Sequence, residues 1–269
     1  MSESLFAKEP LAIGGVLDAG IKLIRSTYVG MLPTAALAAI PYALISSMIN
    51  SAVGVTPGEV ADPEQVMADM GTMFMLMPLM YVALSFLLAA ITHRGVMLAN
   101  GAAGSLAEDM LEGAKKMIPL TLLMIGFILA VGLGSLLLLI PGLILAVTLC
   151  LFFYVPFMEP EQSIWSSLRR SHQLVWGGNW WRTLLIVTVI TILGMVLSML
   201  FYLVIGAIAV VEIQDGASTG LTIMEFFAGW LSMLIYMPFF VCMSLALYND
   251  LRLRKEGGDL DARLEELET

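Results

Sequence analysis

The chain has 269 residues, of which 59% are hydrophobic and 13% charged, with a formal net charge of -9 and a mean hydropathy of +0.91. That is more apolar surface than a soluble domain of this size can hide. Two cysteines exclude a disulfide framework, and the lack of a clustered basic domain excludes nucleic acid as a partner.

In chain order, the first 27 residues hold charges, a proline and several glycines, without the short apolar core and cleavage site of a secretory signal. The first apolar run is therefore expected to be retained. A helical crossing needs roughly 20 apolar residues. Runs of that length predict spans at Tyr28–Ile49, Gly71–Thr92, Ile118–Ile140, Gly142–Phe157, Thr183–Val211 and Leu221–Tyr248. No charged residue occurs between Lys116 and Glu159, about twice the length of one crossing. Pro141-Gly142 near its middle is a strong turn signal, so this stretch is read as two spans in a tight hairpin.

Residues 1–255 thus read as a single all-α, polytopic membrane domain with six transmembrane helices arranged as three hairpins. Residues 256–269 read as a short acidic cytoplasmic tail. Each hairpin is preceded by an amphipathic segment, Val16–Ser26, Leu106–Met117 and Ile164–Trp176, expected as cytoplasmic interfacial helices.

Charge orients the chain. Lys8, Lys22 and Arg25 precede the first span and Arg94, Lys115 and Lys116 lie between the second and third, on the same side as Arg169, Arg170, Arg182, Arg252, Arg254, Lys255 and Arg263. The opposite loops carry only the acids Glu59, Asp62, Glu64, Asp69, Glu212 and Asp215. The bias of Lys and Arg places both termini in the cytoplasm.

Small residues at four-residue spacing predict close helix seams: Ala35, Ala39 and Ala43 in the first span, Gly126, Ala130 and Gly134 in the third, Gly194 and Ser198 in the fifth. Pro41, Pro78 and Pro238 fall inside spans, where kinks are expected.

Trp165, Arg169, Arg170, Trp176, Trp180, Trp181 and Arg182 crowd the loop after the fourth span. An aromatic belt with positive-inside anchors accounts for such a cluster. A site for anionic lipid headgroups accounts for it equally in kind, guanidinium groups pairing phosphate while indoles sit at carbonyl depth. Arg252, Arg254 and Lys255 extend the candidate surface after the last span, where Asp250 and Arg254 stand one helical turn apart.

Met67, Met70, Met73, Met77 and Met80 share one face of a helix. Thioethers bind Cu(I), but methionine is also a flexible packing residue. Cys150 and Cys242 fall within spans, as buried thiols. Glu225 is the only acid inside a span, near its outer end, and His93, Arg94 and His172 fall at the cytoplasmic edge as solvated boundary residues. No nucleophile–base pair, metal-ligand cluster or phosphate loop is visible, so neither catalytic residues, metal nor cofactor are expected.

Three motifs carry a resemblance: Leu139-Ile140-Pro141-Gly142; Glu159 with Ser167, Arg170-Ser171 and Gly178-Asn179-Trp180-Trp181-Arg182; and the run Tyr248 to Gly257. From about Ile118 onward, and more loosely before it, the chain resembles the membrane domain joined to some glycerophosphodiester phosphodiesterases and found alone in bacterial relatives. Asn249 stands where that family usually has Tyr. The resemblance covers the membrane domain and not the catalytic barrel, so it implies a bacterial inner-membrane location linked to phospholipid or envelope metabolism, without the phosphodiesterase activity.

The expected function is a non-enzymatic, lipid-interacting scaffold or accessory protein. Its partners would be anionic membrane lipids and a protein on the cytoplasmic side. The alternative is an uncoupled transporter or flippase-like protein for a lipid or apolar small molecule. The absence of ionisable groups at the midplane favours the first.

Overall fold

The computed structural model describes residues 4–52, 63–214 and 218–268, with side chains over 4–50, 64, 66–206 and 226–257. The acids Glu59, Asp62 and Asp215 lie outside the described residues, as do the side chains of Glu212, Glu225 and the acidic tail beyond Gly257. The described chain is helical, with no strand. Its helices are α1 (Ile13–Ala52), α2 (Pro63–Ala99), α3 (Leu106–Leu137), α4 (Leu139–Leu149), α5 (Val155–Met158), α6 (Ser167–Val175), α7 (Trp180–Gln214) and α8 (Ser218–Glu268). Five of them, α1, α2, α3, α7 and α8, are long and apolar enough to cross a membrane.

Local chemistry sets several boundaries. Ser105 and Glu108 form a reciprocal capping box at the start of α3, the Glu108 N–H donating to Ser105 Oγ at 3.2 Å and the Ser105 N–H to Glu108 Oε2 at 2.9 Å. The helix α6 stops at Gly177 and Gly178, whose φ values of +89° and +114° favour glycine. The segment Ile164–Trp176 therefore forms its own short helical element. Val16–Ser26 and Leu106–Met117 do not: they lie inside α1 and α3. Adding a residue to an existing helix is easier than nucleating a new one, and no break separates these polar turns from the apolar ones that follow. The tail behaves alike, α8 running on to Glu268.

The helix α1 packs between α2 and α8, α3 lies on α2, and α7 lies on α8. Ala35, Ala39 and Ala43 are buried, the seam the spacing predicts. Tight contacts tie α1 to α8: Trp230 Nε1 donates to the Ala36 carbonyl at 2.8 Å, and a Cβ on Gly20 would meet the Met243 backbone at 3.2 Å. Gly194 faces the Phe240 ring, whereas Gly126 has open space around it, so the seam predicted in the third span is not continuous. Helices run unbroken through Pro41, Pro78 and Pro238.

The main departure from expectation is the α3–α4 pair. The chain reverses at Leu138, in extended conformation (φ -161°, ψ 144°), not at Pro141-Gly142. Those two residues sit in the first turn of α4, where proline's missing N–H has no helical partner to lose. Glycine is needed at 142 because a Cβ there would overlap the Ser135 hydroxyl and lie 2.7 Å from its backbone nitrogen. With 11 residues, α4 spans about 16 Å, short of the ~30 Å of hydrocarbon. Beyond Leu149 the backbone tightens into i→i−3 turns, Phe152 N–H to the Leu149 carbonyl at 3.2 Å and Tyr154 N–H to Leu151 at 3.0 Å. The predicted span Gly142–Phe157 is thus a short helix, a turn region and the single-turn α5.

Helix α4 also lies antiparallel beside α6. Ser171 contacts the residues Thr148 and Leu151 at one end. At the other, Ile140, Leu143 and Ile144 share a cleft with Trp176, Trp180 and Trp181. The hairpin tip therefore stands next to the start of α7, not a bilayer's thickness away from it.

Candidate functional site

At the end of the bundle that carries the basic loops, two carboxylates are buried and a third is largely so, and each is clasped by cations. Burying a charge is costly unless it is paired and hydrogen-bonded, so their partners define what this end does.

Asp109, on α3, is fully buried. Its Oδ2 accepts from the Thr34 hydroxyl at 2.7 Å, and its Oδ1 lies 2.9 Å from His93 Nδ1. Arg94 Nε stands 3.7 Å away while donating at 3.2 Å to the Gly30 carbonyl, and its Nη1 donates to the Gly104 carbonyl. One carboxylate thereby joins α1, α2 and α3. His93 and Arg94, expected as solvated boundary residues, are structural clamps on Asp109.

Glu159 follows α5. Arg170 grips it in bidentate fashion, Nη2 to Oε1 at 2.7 Å and Nε to Oε2 at 3.0 Å. The Tyr248 hydroxyl donates to Oε1 at 2.7 Å, and Gln162 Nε2 adds a further bond. Burial lowers the Arg170 pKa, but the hydrogen bonds and charge of Glu159 outweigh it, so the net shift is upward.

Asp250, at the end of the apolar part of α8, is also fully buried. Arg182 reaches it at 2.9 Å and Arg254 at 3.1 Å, the latter being the helical-turn pair the spacing predicts. Its Oδ1 accepts the Leu11 N–H at 2.7 Å, and Arg182 Nη2 donates to the Leu11 carbonyl at 2.6 Å. Asn249 Nδ2 donates to the Ala7 carbonyl at 2.9 Å. The N-terminal segment is thus fastened across the helix ends.

These pairs divide the predicted lipid-facing residues into two sets. Arg170, Arg182 and Arg254 are committed to Glu159 and Asp250. Arg252, expected to face phosphates, pairs instead with Glu256 at 2.8 Å, because α8 continues and brings position 256 one turn on. Lys255 also has a partner. Arg169 is exposed and makes no ion pair among the described residues. Trp165, Trp176 and Trp181 are 61%, 52% and 76% exposed, while Trp180 packs edge-on against Trp181 with its Nε1 buried and unpartnered. His172 is exposed and stacks on Trp176 at 5.4 Å.

Beside these indoles stands a surface that periodicity did not reveal. Five consecutive residues at the hairpin tip, Leu136 to Ile140, are 68–83% exposed. The cleft between that tip and the Trp176–Trp181 loop has a volume of about 490 Å³ and a mostly apolar lining. On α2, Met67 and Met70 are exposed and Met73, Met77 and Met80 half-buried. Among the described residues, no group of His, Cys, Asp or Glu is placed to hold a metal ion.

No family model, curated protein or solved structure matches this chain.

Proposed function

We propose that this chain is a non-enzymatic protein of the bacterial inner membrane that engages lipid at the cytoplasmic leaflet. The resemblance in its three motifs supports that location, and the positive-inside distribution supports cytoplasmic termini. In this reading α1, α2, α7 and α8 cross the bilayer. The α3–α4 hairpin enters from the cytoplasmic side and returns to it. Parity is preserved, so both termini stay on one face.

The observation that carries the reading is the exposed apolar tip Leu136–Ile140 set beside exposed Trp176 and Trp181. Contiguous exposed apolar surface marks an interaction site or a membrane contact, and tryptophan prefers the headgroup level. Arg169, exposed and without an ion pair among the described residues, is available to a lipid phosphate.

Lipid analysis of the protein purified in mild detergent tests this. Enrichment of one anionic lipid class over the bulk membrane, reduced in Arg169→Gln, is the expected result. A lipid profile equal to the bulk, unchanged by the substitution, overturns it.

A further inference from the structure

A second cavity, distinct from the tryptophan cleft, lies among the ends of α2, α3 and α8. It has a volume of about 570 Å³ and is bounded by α5 on one side and roofed by Ser4 and Phe6. The roof is held in place: the Leu5 N–H donates to the Ala99 carbonyl at 2.7 Å, and Ser4 Oγ to Asn100 Oδ1 at 3.2 Å.

Its polar groups come from three helices. His93 and Asn100 belong to α2, Glu112 and Lys116 to α3, Asn249 and Arg252 to α8. Lys116 is mostly buried; its ammonium donates to the Pro156 carbonyl at 3.1 Å, lies 4.2 Å from the centre of the Phe157 ring, and is 3.5 Å from Glu112. His93 cannot swing away, since Asp109 holds its Nδ1, and that leaves Nε2 as the ring nitrogen open to other partners. Asn100 uses its carbonyl oxygen on Ser4, which leaves its NH₂ as the donor.

The charge balance selects the sign of an occupant. Two cations, Lys116 and Arg252, line the cavity against one acid, Glu112, and from outside the lining Glu256 pairs with Arg252 at 2.8 Å. Glu112 is further neutralised by Lys115 at 2.9 Å from outside the lining. Donors on three separate helices surround the space. A tetrahedral oxyanion uses donors converging from several directions.

We infer that this cavity is a binding site for a phosphate group, with Lys116, Arg252 and Asn100 as its donors. The phosphate belongs either to a cytoplasmic solute or to a lipid headgroup reaching in beside Phe6. The inference does not depend on the tryptophan cleft and stands or falls separately from the proposed function.

The test uses the full chain in nanodiscs of phosphatidylcholine, titrated calorimetrically with inorganic phosphate and, in parallel, acetate. Saturable phosphate binding is expected, with acetate at least tenfold weaker. Arg252→Gln and Lys116→Gln are each expected to weaken it at least tenfold. Thermal midpoints of the variants show that each is folded; should Lys116→Gln not fold, Arg252→Gln and Asn100→Ala decide. Absence of saturable phosphate binding by the unsubstituted protein up to about 10 mM overturns the inference, as does binding unchanged in the folded variants. Repeating the titration in nanodiscs containing phosphatidic acid separates the sources: lost phosphate binding assigns the site to a headgroup, and retained binding to a solute.

Discussion

The Ser171 hydroxyl accepts the Leu151 N–H at 3.2 Å where the α geometry of α4 has ended, and donates to the Thr148 carbonyl at 2.9 Å. A side chain from α6 thereby satisfies two backbone groups that the unwinding of α4 releases. In a buried setting such groups are expensive to leave unmade. Ser171→Ala is expected to lower stability by about 1–3 kcal/mol, read as a fall in the thermal midpoint in detergent. An unchanged midpoint would show that the turn region is held some other way.

Adjacent arginines should behave oppositely. Arg170 is bound to the largely buried Glu159, and removing one partner of a fully buried pair costs about 3–5 kcal/mol, an upper bound here. Arg169 carries no such burden, and a surface change of that kind stays within about 0.5 kcal/mol. Arg170→Gln is therefore expected to reduce folded yield sharply and Arg169→Gln to leave it intact. Equal effects on yield would contradict the pairing.

The position of the hairpin tip has a direct readout. With Cys150 and Cys242 replaced by Ala, a single cysteine introduced by Leu138→Cys should resist a membrane-impermeant maleimide applied from the periplasmic side. Labelling from that side would restore six crossings.

Gly142 is the closest approach in the hairpin, its Cα facing the Ser135 backbone. Gly142→Ala is expected to cost about 1–3 kcal/mol by forcing α3 and α4 apart. Gly126→Ala, in open space, should leave the midpoint unchanged or raise it slightly. Thermal unfolding of the two variants side by side distinguishes them.

Much of the fold is legible in the sequence. Apolar run length identifies the five long helices, since the hydrocarbon thickness imposes it. The alanine seam in α1 follows from its four-residue spacing, and the Asp250–Arg254 pair from helix geometry. The α3–α4 hairpin was not legible: its reversal at Leu138 lies in an unbroken run of leucines, while the nearby Pro141-Gly142 mimics the turn. What sends the tip toward Trp176–Trp181 is contact with α6, more than twenty residues further along the chain. The candidate site was half legible for a similar reason. Composition shows a surplus of arginines near tryptophans, but whether each meets lipid or a carboxylate depends on which acid the fold delivers. Asp109 and Asp250 are delivered to the interior, and only the assembled bundle reveals it.

The fastening of Leu11 has a consequence for synthesis. Its N–H is satisfied by Asp250, 239 positions later, and its carbonyl by Arg182 and by Arg254, 171 and 243 positions later. Chains leave the ribosome at about 5–20 residues per second, so more than ten seconds separate the emergence of this segment from that of the last group that secures it. Throughout that interval Ala7 and Leu11 lack the partners on α8 that fasten them. The front of the chain is among the last parts to settle, and a nascent protein halted before Asp250 would present that stretch to chaperones and proteases.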